Sequence, residues 1–286
     1  MTGLIDIGGG MKCAYSAGLY DYFIDNGIEF DYYLGVSAGS MNILSYIAGE
    51  RGRNIKIYRS SAVTDEYLSI SNFIHNGAYM NYDKVREDFY SDTGHGAFNF
   101  EKFFASAKPF VVSVTSAHDG RTVYFDKSHM TDREKTLDII SASCCLPLVS
   151  RPRLIEGNQY FDGGLAEPIP FRKAFDDGCD KIVVVMSTSA DQKREKLPGT
   201  NILGPALLRD YKAIADVLED RHVIFNYMIR CVKEYELEGR ALILSPEDIP
   251  GAFSLAKDID VVNKLYENGY RDALNHAEEI RKLLEK

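Results

Sequence analysis

Short, almost wholly apolar runs recur along the chain, and most are followed by a segment with helical spacing. "LIDI" (4–7) precedes "GGG" and then "MKCAYSAGLYDYFIDNG", whose apolar positions repeat with a helical period up to Gly27. "FDYYLG" (30–35) reads as a second strand, and "SAGSMNILSYIAG" as a second helix closed by Gly49. Residues 51–107 are helical or irregular, with a glycine-dotted loop, "SDTGHGAFN", at 91–99. "PFVVSVT" (109–115) and "RTVYF" (121–125) flank the turn "SAHDG" and predict a hairpin. "DREKTLDIISASCCLP" predicts a helix stopped near Pro147, and "NQYFDGGLAEPIP" a short strand that runs into a loop. "KIVVVM" (181–186) is continuously apolar and β-branched, as a strand buried on both faces must be.

Beyond residue 190 the pattern changes. "SADQKREKLPGTN" is polar and broken, in the manner of a linker or loop. Residues 205–236 then predict one long helix, "RALILSP" (240–246) a further strand in the same sheet, and 258–285 a charged terminal helix. Strands alternating with helices predict an α/β fold: a three-layer sandwich around a mostly parallel central sheet. The expected organisation is a catalytic core over 1–190, with an extension over 191–286 packed on it.

Composition narrows the function classes. A chain of 286 residues, 45% hydrophobic and 26% charged, is of ordinary globular type and long enough to bury a core. A formal charge of −9 argues against nucleic acid as a partner. No basic segment leads into a long apolar stretch near the N-terminus, and no apolar run approaches a membrane span, so neither a signal peptide nor a transmembrane segment is expected. Five cysteines without paired spacing suggest reduced thiols in the cytoplasm rather than a disulfide framework or a zinc site.

The candidate chemistry starts at "GVSAG". Gly35-x-Ser37-x-Gly39 has the spacing of a nucleophile elbow, in which a serine occupies a tight strand-to-helix turn and glycines relieve the crowding on either side. By chance this pattern arises in about one chain in ten of this length, so its weight comes from its place between a predicted strand and a predicted helix. A serine needs a base. Of the six histidines, His222 and His276 fall in predicted helices, and His75, His95, His118 and His129 come in the wrong order for a conventional triad. A carboxylate is the other choice. Asp162 ends a short strand and is backed by Gly163 and Gly164, although D-G-G alone would read as a turn. The loop Gly8-Gly9-Gly10 offers consecutive N–H groups for an oxyanion. It fits a dinucleotide loop poorly, since Cys13 stands where a third glycine is needed.

In this order, "GGGMK" at 8–12, "GVSAG" at 35–39 and "DGG" at 162–164 resemble the patatin-like phospholipases, over about residues 3–190. The resemblance implies Ser37 as nucleophile, Asp162 as its base, and the N–H groups of Gly8, Gly9 and Gly10 as the oxyanion hole. Lys12 matches the basic residue of the family's glycine loop; otherwise it reads as a solvated helix residue. "SASCCLPLV" (141–149) resembles the small-residue helix end and proline that precede the aspartate strand. Departures are Ile7, where an aspartate is common, Cys13 for a glycine, and Glu167 before Pro168 for an asparagine; they fit a bacterial-type branch. The implied activity is hydrolysis of a lipid ester, phospholipid or lysophospholipid, through an acyl-serine, with no metal or organic cofactor. The implied location is the cytoplasm, peripheral to a membrane surface. A soluble carboxylesterase, a thioesterase, an acyltransferase and a silent lipid-binding module stay open, and residues around 67–110 are candidates for an acyl pocket as well as for core.

Overall fold

Alternating side chains of the central strands feed two separate cores, one on each face of a sheet. The computed structural model describes all residues except 68, 70, 73–79, 92–97, 148–149, 197–208, 249, 256 and 286. In β1 (Thr2–Asp6), Leu4 enters one core and Ile5 the other; in β7 (Lys181–Val185), Val183 and Val185 oppose Ile182 and Val184. That is the signature of a strand covered on both sides, as the uniform apolar run predicts.

Among the described residues the sheet has eight strands, ordered β5-β6-β3-β2-β1-β7-β8, with β4 paired to β3. β2 (Tyr32–Val36), β3 (Phe110–Ser116) and β8 (Ala241–Leu244) run parallel with β1 and β7. β4 (Thr122–Asp126), β5 (Arg153–Ile155) and β6 (Asn158–Asp162) add an antiparallel side. β8 extends the sheet next to β7, where the "RALILSP" pattern predicted it.

The larger core lies under α1 (Ala14–Asp25), α2 (Ala38–Ile47), α3 (Arg53–Val63), α4 (Tyr82–Tyr90), α5 (Phe100–Ala105) and α6 (Arg133–Ser143), joined by α9 (Ile259–Asn275) and α10 (Ala277–Leu284). The opposite face is covered by the short α7 (Phe171–Asp176) and the long α8 (Lys212–Leu237). Phe225, Met228, Ile229 and Val232 of α8 are buried there, each stabilising the fold by about 1.5–3 kcal/mol. One of the three layers is therefore built mainly from the C-terminal third of the chain.

The same third reaches into the other layer. A Cβ on Gly18 of α1 would sit 2.0 Å from the Tyr266 carbonyl oxygen, and one on Gly269 of α9 would sit 1.9 Å from that of Tyr15. The two helices thus cross backbone to backbone through a reciprocal pair of glycines. Tyr15 donates to Asp272 at 3.0 Å and Tyr266 to Asp21 at 2.8 Å, so the crossing is also pinned by hydroxyl–carboxylate bonds.

Two expectations change. The terminal helix is divided at His276, whose φ of −95° and ψ of 7° end α9 and begin α10. The hairpin β5–β6 was not anticipated: "RLI" is too short to show a period, although Glu156 and Gly157, at φ of 50° and 83°, form the two-residue turn that this connection requires. Most of the loop 91–99, part of the segment 189–201 and residues 205–208 of the long predicted helix lie outside the described residues.

Candidate active site

Ser37 stands between β2 and α2 with φ 55° and ψ −137°. It is one of two described non-glycine residues with positive φ, a conformation that costs about 1–3 kcal/mol and persists only where the surroundings impose it. They do so here by crowding. A Cβ on Gly35 would meet the Ser40 Cα at 2.5 Å, and one on Gly39 the Asp6 carbonyl at 2.5 Å. The Ser37 N–H donates to Ser143 Oγ at 2.8 Å, and that hydroxyl donates onward to the Ser113 carbonyl at 2.8 Å. The end of α6 therefore clamps the turn, which gives the small-residue segment "SAS" a definite task.

Sheet pairing brings Asp162 to the serine. β4 occupies one edge of β3 from Val111 to Thr115. A strand has two hydrogen-bonding edges, so β2 and β6 share the other. β2 ends with Val36 opposite Ser113, and β6 arrives from the opposite direction with Asp162 opposite Val114. The two strand ends meet, and the residues that follow them meet too. A Cβ on Gly163 would lie 2.3 Å from the Ser113 carbonyl oxygen, so the chain can turn away there only as glycine.

Asp162 is 2% exposed. Its Oδ1 accepts the Gly164 N–H at 2.8 Å, while Oδ2 is buried without a partner in full hydrogen-bond geometry. Burial pushes its pKa up to about 6; the neighbouring Ser37 hydroxyl, the Gly164 N–H and Arg221 pull it down. A carboxyl so placed is ionised at neutral pH yet close enough in pKa to accept and return a proton. Among the described histidines none bonds to Ser37 or Asp162: His118 is exposed, His129 pairs with Asp126, and His276 pairs with Glu279. His222 contacts the Glu219 carbonyl. His75 and His95 are outside the described residues.

The glycine loop packs directly on the elbow. All three of its glycines have positive φ (73°, 141° and 63°), and a Cβ on Gly8 would lie 2.7 Å from that of Ser37. Of the three N–H groups expected to face an oxyanion, two are free to donate. The Gly8 N–H is spent on Asp6 Oδ1 at 3.0 Å, while those of Gly9 and Gly10 have no partner among the described residues. Asp6 is itself buried, with its pKa raised by burial to about 6 and its second oxygen accepting from Tyr20 at 2.8 Å. It anchors the loop from below, one residue earlier than the aspartate common in the family. The next N–H, that of Met11, donates to the Ser254 carbonyl at 2.9 Å, so the loop is also held from the C-terminal third.

Lys12 is not a solvated helix residue. It is 8% exposed, without a hydrogen bond or ion pair among the described residues, and burial lowers its pKa to about 8. Beside Ser37 lies an apolar cavity of about 70 Å³, lined among others by Met11, Met41, Ile57, Tyr58, Cys144 and Leu255. Of the described residues in 67–110 only Met80 lines it; Phe89, Tyr90, Phe98, Phe103 and Phe110 are core. Three contributors escaped sequence reasoning: Ser143, Asp6 and Arg221. Arg221 of α8 donates from Nε to the Gly164 carbonyl at 2.6 Å, a contact across 57 residues that no local pattern announces.

The sandwich, the elbow and the glycine loop together define a chain of the patatin class. Residues 8–175, more than half of the chain, match the family model of the patatin-like phospholipases, and the chain belongs to that family. Residues 211–285 match a second model, a domain of unknown function (DUF6363). The uncharacterized protein YjjU of Escherichia coli K12 is 28% identical over 184 residues, 64% of this chain and 50% of its own length. The chain thus spans about half the length of that curated relative. The crystal structure of VipD from Legionella pneumophila shares the fold at a TM-score of 0.50 and 13% identity, covering 97% of this chain and 67% of that one.

Proposed function

We propose that the protein is a serine acyl hydrolase that cleaves carboxylic esters of lipids, phospholipid or lysophospholipid, with Ser37 and Asp162 as its catalytic dyad. The observation that carries this reading is the buried, otherwise unpartnered Asp162 Oδ2 at the end of β6, where β6 meets the strand that delivers Ser37. In the first step Asp162 takes the Ser37 proton as Oγ attacks the ester carbonyl. The Gly9 and Gly10 N–H groups and the N-terminus of α2 stabilise the oxyanion. Asp162 then gives its proton to the departing alkoxide, and the acyl chain remains on Ser37. Water deprotonated by Asp162 attacks the acyl-serine, the oxyanion forms again, and the returning proton restores Ser37 as the fatty acid leaves. No step calls for a metal or an organic cofactor.

Residues 1–190 would supply the catalytic core and 191–286 an extension that closes the sheet. Phe253, 70% exposed, and Leu255 lie in the loop that holds Met11, beside the cavity mouth. They suit contact with a membrane surface, and no described helix is long and apolar enough to cross one. Five free thiols fit a cytoplasmic site of action. A fluorophosphonate probe tests the core of the proposal. Wild type should be labelled on Ser37 and Ser37→Ala should not; a folded wild-type protein that stays unlabelled would leave only a silent binding module.

A further inference from the structure

Three cations stand around the dyad, and none of them forms an ion pair among the described residues. Lys12 follows the glycine loop, with its Cε 3.7 Å from where a Gly9 Cβ would be. Arg221 borders the other side, bonded to the Gly164 carbonyl next to Asp162. Arg194 links them: it lines one cavity of about 450 Å³ with Lys12 and an adjoining one of about 500 Å³ with Arg221. The guanidinium of Arg194 lies 4.7 Å above the Phe225 ring, and one Nη donates to Thr188 Oγ1 at 2.8 Å. Its remaining N–H groups, and both Nη groups of Arg221, have no partner among the described residues.

Buried cations are ordinarily paired, because an uncompensated charge away from water is costly. Here Lys12 is buried and Arg194 and Arg221 are half-buried; burial lowers the pKa of all three, Arg194 and Arg221 lower that of Lys12 further, and Arg221 that of Arg194. Set against the Asp162 carboxylate, they leave two positive charges uncompensated. The other carboxylates of these cavities, Glu195, Glu247 and Asp248, are exposed at the rim and screened by water. The apolar cavity occupies a separate position beside Ser37, so acyl chain and anion have distinct places.

We propose that Lys12, Arg194 and Arg221 form a subsite for a phosphate monoester dianion carried on the alcohol side of the ester. The assignment rests on the acyl-hydrolase reading above. Two of the three residues lie outside the stretch matched by the patatin-like family model, so the C-terminal region sets the head-group preference. Guanidinium groups suit phosphate because their forked N–H donors match its oxygens. A dianion neutralises the site; a zwitterionic head group leaves a positive charge behind and brings another.

The test compares 1-acylglycerol 3-phosphate, 1-acylglycerophosphocholine and 1-acylglycerol of one chain length. The expected kcat/KM for the phosphate monoester is at least about tenfold above that of the neutral ester, and Arg194→Gln should cut this ratio about tenfold. In parallel, glycerol 3-phosphate and inorganic phosphate are titrated by calorimetry against Ser37→Ala protein with and without Arg194→Gln. Saturable glycerol 3-phosphate binding that Arg194→Gln abolishes supports the subsite. A ratio near one, a ratio untouched by Arg194→Gln, or no saturable binding overturns it. Inorganic phosphate binding as tightly as glycerol 3-phosphate overturns the assignment to a substrate. Binding with no hydrolysis of any ester sinks the hydrolase reading and leaves the subsite standing, whereas hydrolysis without binding does the reverse.

Discussion

Ser37 and Asp162 end two strands that meet head to head on one edge of β3, opposite consecutive residues Ser113 and Val114. Their proximity is a consequence of register. A slip of β6 by one residue would turn its side chains to the other face of the sheet and remove the carboxylate from the serine.

Asp162→Asn removes the proposed base while keeping an oxygen for the Gly164 N–H. Turnover should fall by at least about a thousandfold, within the range seen when a proton acceptor is lost. Steady-state kinetics on a lipid ester measure it. A loss of less than tenfold, with a histidine variant more damaging, would point to a different base.

The same carboxyl predicts two pH dependences. The proposed mechanism needs it ionised, so kcat/KM should rise through an apparent pKa of about 6 and level off above it. For stability the sign is opposite. A carboxyl whose folded pKa is raised contributes stability that is complete below the unfolded value and lost as pH climbs through the folded one. Between pH 4 and 6 Asp162 therefore contributes less and less, and Asp6 behaves alike. At pH 8 Asp162→Asn should then be more stable than wild type by up to about 3 kcal/mol, read from urea denaturation at both pH values. Equal stabilities at pH 8 would mean that the desolvation cost is relieved elsewhere.

Ser143→Ala cuts the clamp on the elbow, leaving the Ser37 N–H and the Ser113 carbonyl unpaired. Each buried orphan costs about 1–3 kcal/mol. Ser143→Ala should therefore lose about 2–6 kcal/mol of stability and show a lower kcat with little change in KM. Ser143→Thr, which retains the hydroxyl, should recover part of both.

Gly269→Ala places a methyl 1.9 Å from the Tyr15 carbonyl, a backbone atom that cannot yield without moving α1. The expected cost is more than about 3 kcal/mol, or roughly 6–12 °C in Tm for a chain of this size. Calorimetry reads it directly. A shift below 2 °C would show that α1 and α9 separate easily.

The motifs were legible because their chemistry is local. The elbow and the glycine loop each need particular residues within a few positions of one another, for backbone conformations that other residues resist. The apolar runs gave the parallel strands for a similar reason, since a strand covered on both faces shows it at every position. The β5–β6 hairpin was too short to carry a period, and the break at His276 leaves the helical pattern uninterrupted.

What the sequence by itself determined is the set of parts: strands, helices, a serine on a turn and a carboxylate before two glycines. Tertiary structure alone decided which parts touch. Only the sharing of one β3 edge sets Asp162 beside Ser37, only Asp6 takes up the Gly8 N–H of the glycine loop, and only the packing of α8 brings Arg221 to Gly164. Contacts across tens to hundreds of residues depend on pairing register and helix placement, and both are settled by the whole fold.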